Sequence, residues 1–183
     1  KRLIVEADVP LDAFCKTWHM DARLEKGYYV SELITDILGG GASSRLYQSL
    51  VKEQKIFTNI DCYHFGSIDK GLVAIEGKLV KGQQPEHAEQ AVEAELEKLK
   101  TQAIPEAEVQ KIKNKAESSL VFEDVHVATR AMNLANYELL GNANLINEEL
   151  ARYQAISATQ IQQHANEIFQ TANSNTLYYL SKQ

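Results

Sequence analysis

Ile37-Leu38-Gly39-Gly40-Gly41-Ala42-Ser43-Ser44-Arg45-Leu46-Tyr47-Gln48-Ser49-Leu50 is the stretch in which one helical pattern gives way to another. Upstream, Val30, Leu33, Ile34, Ile37 and Leu38 recur at the i, i+3, i+4, i+7 and i+8 spacing of a single apolar helix face. The glycine run ends that helix, because glycine accepts positive φ where other residues do not. Ser43 or Ser44 is placed to cap a second helix, whose apolar residues are Leu46, Tyr47 and Leu50. No Gly-Lys-Ser/Thr follows the glycines, and they join helix to helix, so the loop does not read as a phosphate cradle.

Working outward, residues 3–9 and 13–20 are rich in branched and aromatic side chains and read as two strands separated by Pro10. Beyond the second helix, Ile60, Cys62 and His64 alternate with Asp61, Tyr63 and Phe65, the period of a strand. The Asp69-Lys70-Gly71 turn leads into the strand 72–80, which makes an antiparallel hairpin with the first. Pro85 opens a helix with Ala88, Ala91, Val92, Leu96 and Leu99 on one side; its glutamates read as a solvated face. Pro105 with Glu106 and Glu108 has the form of a helix start. From there to Gly141 the chain is one long helix or two nearly continuous ones, with Val109, Ile112, Ala116 and Leu120 as its apolar stripe. Helical segments over 144–156 and 158–170 follow, the latter capped by Ser157, and Thr176–Leu180 closes the chain as a strand. Blocks of strands and helices in this order predict an α+β fold with a mainly antiparallel sheet packed against several helices.

The 183 residues are the size of one domain. A net charge of −6 without a basic block argues against nucleic-acid binding. No apolar run approaches the ~20 residues of a membrane span. The opening Lys1-Arg2-Leu3-Ile4-Val5 runs straight into a strand pattern, which suggests a segment of a longer chain. Cys15 and Cys62 form neither a disulfide framework nor a zinc spacing and read as part-buried thiols on neighbouring strands. Among the five histidines, only His164-Ala165-Asn166-Glu167-Ile168 approaches a zincin helix. Ile168 stands where the second imidazole is required, so no metal site is expected. No Gly-x-Ser-x-Gly elbow is present, and neither cysteine has a local histidine-bearing signature.

The quoted stretch, continued by Lys52-Glu53, resembles a signature of the insulinase/pitrilysin family of zinc peptidases. Val9-Pro10, the Asp69-Lys70-Gly71 turn and Ile104-Pro105-Glu106-Ala107-Glu108 agree with the same family, over nearly the whole chain. The resemblance is to its second, inactive type of domain. It implies that residues 1–183 are a non-catalytic C-terminal domain of metallopeptidase half-domain type. Such a domain forms part of the wall of a closed chamber that admits unfolded peptides. Zinc is expected in an N-terminal half bearing His-x-x-Glu-His, not in this segment. Family members also carry a substrate-binding Arg and Tyr, at positions held here by Val51 and Thr58. Neither side chain replaces a guanidinium or a phenol. This departure implies membership of the zinc-bearing subunit, with the Arg/Tyr pair on a second subunit. Arg45 either faces the chamber or braces the helix connection against a nearby acid, and its place among capping residues favours bracing. A structural or scaffold subunit without peptidase activity, and a free-standing peptide-binding module, are the alternatives. The sequence leaves the compartment unknown, and for bacterial members the periplasm is a guess at the level of the family.

Overall fold

The computed structural model describes residues 1–123 and 125–182. Its strands are β1 (Arg2–Ala7), β2 (Ala13–Met20), β3 (Phe57–Phe65), β4 (Gly71–Leu79) and β5 (Ser174–Ser181). Its α-helices are α1 (Lys26–Gly39), α2 (Pro85–Thr101), α3 (Glu106–Glu123), α4 (Val127–Leu139), α5 (Glu149–Gln154) and α6 (Ala158–Ile168). The expected second helix is observed as a π-helix over Tyr47–Glu53. The expected helix over 144–156 divides into a 3-10 turn, Ala143–Glu148, followed by α5.

One sheet in the order β1-β5-β2-β4-β3 carries the fold. The closing strand β5 is inserted between the first two, parallel to β1 and antiparallel to β2, so the chain ends are stitched together. All other pairs are antiparallel, and the α+β class with a mainly antiparallel sheet is observed. Because β4 lies between β2 and β3, Cys15 and Cys62 are not on neighbouring strands, a correction that spacing could not supply. Cys62 is buried and Cys15 half-buried.

Cross-strand register sorts the side chains into two faces. Phe14, Trp18, Met20, Val73, Ile75, Ile60 and Tyr178 point to the helices and form the core with Leu33, Ile34, Leu38, Val92, Leu96 and Ile161. α1 packs across β2, β3 and β4, while α2 and α6 pack on β2. The opposite face carries rows such as Leu3–Leu177–Cys15–Glu76–Asp61, together with Tyr63 and Phe65.

The glycine run divides its labour. Gly39 lies within α1, where an added Cβ would fall 2.0 Å from the backbone nitrogen of Cys62, so it permits α1 to press onto β3. Only Gly41 takes the positive φ expected of the whole run, at 106°. α6 starts at a full capping box between Ser157 and Gln160.

One expectation fails instructively. Glu89 and Glu95 of α2 are not solvated but buried, at 7% and 4% exposure. Lys16 sits between Phe14 and Trp18 on the covered sheet face and must be paired there. Glu89 accepts from Lys16 Nζ at 2.8 Å, and also from Arg2, Thr176 and Tyr178. Glu95 accepts from Ser49 Oγ and Lys98 Nζ, each at 2.6 Å.

Candidate functional site

The signature segment is fastened from outside, by α3. Arg45 donates to both carboxylate oxygens of Glu108, Nε to Oε1 at 3.0 Å and Nη2 to Oε2 at 2.6 Å. One turn further along α3, Lys111 Nζ donates to Ser43 Oγ at 3.1 Å, and Lys115 Nζ reaches Asp36 Oδ1 at 2.5 Å. Serine capping of the second helix is not observed. Ser43 is taken up by Lys111, and the buried Ser44 Oγ has no partner among the described residues. Helix start and loop are therefore held by a row of α3 side chains at helical spacing, a bidentate ion pair at its head.

Val51 and Thr58 bracket the end of the π-helix and the start of β3. Val51 packs half-buried against the core. Thr58 is exposed, and its Oγ1 donates to the Lys78 carbonyl at 3.1 Å. A bulge between Phe57 and Asn59 turns Phe57 into the core, against Gly77. The two positions thus offer an apolar contact and a hydroxyl engaged with its own hairpin.

His164 is brought to a place that spacing alone does not disclose. It is buried between α1 and α6, with Nε2 2.8 Å from Ser31 Oγ and Nδ1 3.2 Å from Glu167 Oε2. Serine, imidazole and carboxylate in that order have the connectivity of a nucleophilic triad. Ser31, however, is fully buried in the middle of α1, so no substrate carbonyl can reach its oxygen. The constellation locks two helices together. Among the described residues, no group of three or more His, Cys, Asp or Glu is close enough to hold a metal ion, and the set around His164 does not fit zinc.

A second polar cluster joins α1 to the C-terminal helices. Arg23 donates to Tyr137 at 2.7 Å and pairs with the buried Glu149. Its guanidinium also lies over the rings of Tyr28 and Tyr29, at 4.7 and 5.6 Å. Burial pushes the Glu149 carboxyl above its ordinary range, against the opposing pull of Arg23. Tyr153 donates to Glu32 at 2.5 Å, and burial together with that acid raises its phenol. A cavity of about 370 Å³ lies between Arg23, Tyr28, Asn133, Tyr137 and Tyr153.

The sheet face turned away from the helices carries exposed and half-buried apolar side chains. Leu3 is 60% exposed and Phe65 59%. Leu177, Tyr179, Cys15 and Tyr63 are half-buried there. Tyr63 donates to Glu76 across the strands at 2.7 Å, and burial together with that acid pushes its phenol up to about 12. Sequence alternation indicates that β3 has two faces, but not that the second stays uncovered. No helix among the described residues is long and apolar enough to cross a membrane.

Comparison with known proteins adds three findings. A family model described as the peptidase M16 inactive domain matches residues 1–116. The uncharacterized zinc protease YmxG of Bacillus subtilis (strain 168) is 24% identical over 138 residues, which is 75% of this chain and 34% of that protein. Two solved structures share the fold. A protease from Helicobacter pylori superposes with a TM-score of 0.91 at 20% identity, over 98% of this chain and 43% of that one. The inactive peptidase domain of a candidate zinc protease from Bordetella parapertussis gives 0.86 at 19% identity, over 95% and 94%. The chain spans about a third of the curated relative it matches.

Proposed function

The chain belongs to the insulinase/pitrilysin peptidase family, M16, as its inactive domain, and from that premise we propose that it serves as a wall of a closed peptide-degrading chamber. In this reading residues 1–183 are one non-catalytic domain. A zinc-bearing N-terminal half supplies the hydrolytic centre, and the whole is a zinc metalloendopeptidase acting on unfolded peptides. The observation that carries the proposal is the uncovered face of the sheet. Leu3, Leu177, Tyr179, Tyr63 and Phe65 line it with only scattered charges, Glu76 and Asp61 among them. Such a surface meets an extended chain through apolar contact and does not select a charge pattern.

Val51 and Thr58 support a wall and not a clamp, since neither side chain can hold a peptide carbonyl as a guanidinium or phenol does. A second subunit would then supply the Arg/Tyr pair, and this domain would accompany the zinc motif. Arg45, with Nε and Nη2 turned to Glu108, acts as a brace.

The test is hydrolysis of unfolded peptides by the protein joined to its zinc-bearing half, with and without a chelator. Activity lost with the chelator and restored by zinc is expected. Replacing Phe65 and Leu3 by alanine is expected to raise KM a few-fold with kcat nearly unchanged, the sign of lost uniform binding. Absence of hydrolysis with every plausible partner subunit would instead identify a scaffold without peptidase activity.

A further inference from the structure

α4 turns an apolar stripe away from the protein. Thr129, Asn133 and Tyr137, with Leu140 just past its end, are its half-buried or buried positions, and Tyr137 is anchored by Arg23. The opposite side carries Ala128, Ala131, Met132, Ala135 and Leu139, at i, i+3, i+4, i+7 and i+11, all of them exposed. A surface helix of a globular domain turns its apolar stripe inward and its polar residues to water. Here an apolar stripe faces outward, beside the exposed Arg130, Asn136 and Glu138. Met132 is 63% and Leu139 77% exposed, and Phe122 and Val125, at the approach from α3, are 72% and 69% exposed. Over 121–139, large hydrophobic side chains are gathered outside the core as nowhere else among the described residues.

The stripe itself contains no charged residue; Glu138 borders it. Three of its members are alanines, which allow close approach of a flat apolar surface. The stretches matched in two relatives make up only 34% and 43% of those chains, so in them further chain is at hand to cover such a face. We infer that the outward stripe of α4, with Phe122 and Val125, is where the zinc-bearing half docks, through an uncharged apolar patch on that partner. The inference rests on the proposed function and adds the surface through which its two halves meet.

Hydrogen exchange followed by mass spectrometry tests it, on the 183-residue chain alone and on the protein joined to its zinc-bearing half. In the chain alone α4 amides exchange quickly. In the joined protein they slow by about tenfold or more. The double variant M132E/L139E returns them to the fast rate, while the amides of β2 and β4 keep their protection, so failure to fold is recognised directly. Equally fast α4 exchange in both samples overturns the inference. So does protection that develops in the chain alone as its concentration rises, which would identify a second copy as the occupant. Chelator-sensitive hydrolysis measured on the same joined sample separates the two ideas. Activity with unprotected α4 removes the docking surface and leaves the peptidase, whereas protected α4 without activity does the reverse.

Discussion

Glu89 gathers Arg2, Lys16, Thr176 and Tyr178 beneath the sheet, so one α2 side chain satisfies three strands at once. Burial opposes its charge, but hydrogen bonds from Lys16 and Tyr178 and the charges of Lys16 and Arg2 prevail and hold its carboxyl below the ordinary range. A depressed carboxylate contributes stability above its unfolded pKa, about 4.3, and loses it as pH falls through the folded value. E89Q is therefore expected to cost roughly 2 kcal/mol at neutral pH, since it leaves the buried Lys16 ammonium with Glu93 as its one carboxylate partner. It should also flatten the acid limb of the stability curve. Urea denaturation at several pH values checks both, and an unchanged acid limb would place the linkage elsewhere. At Arg45 and Glu108, a double-mutant cycle should return a coupling of roughly 1 kcal/mol, as a partly exposed bidentate pair does. Ser31 should remain unlabelled by a serine-directed phosphonylating reagent; labelling would mean that α1 opens to solvent.

The helices are joined by specific locks as well as by apolar area. Ser31 and His164 tie α1 to α6, and α3 holds the loop after α1 through Glu108, Lys111 and Lys115. Replacing Ser31 by alanine leaves the buried His164 Nε2 without its partner, at a cost of roughly 2 kcal/mol. Replacing Ser157 by alanine removes the α6 capping box and should cost about 1 kcal/mol. Thermal melts of both variants and of the pair measure these costs. The α6 cap is legible in the sequence because Ser157 and Gln160 are three residues apart and the interaction is local. The role of the buried glutamates is not, because in a helix as rich in Glu and Lys as α2 a single acid looks like any solvated one. The partners of Glu89, which are Lys16, Thr176, Tyr178 and Arg2, all lie at least 73 residues away along the chain.

Among the described residues, the sheet has one face under helices and one without. Cys62 lies on the first and Cys15 on the second. Burial pushes both thiols up, with Cys62 fully enclosed and Cys15 near Glu76. Alkylation near neutral pH should therefore be slow for both, and faster at Cys15 than at Cys62. Mass spectrometry reads the order, and equal rates would mean that the core opens as readily as the face. By itself the sequence determined what depends on near neighbours: the α1 stripe, the hairpin, the α6 cap, the element order and the missing second imidazole at Ile168. Tertiary structure alone decided that β5 enters between β1 and β2, that Lys16 meets Glu89, that Ser31 meets His164, and that α4 turns its apolar stripe outward. Periodicity tells which residues of an element share a face. Which face meets the core is set by partners far along the chain.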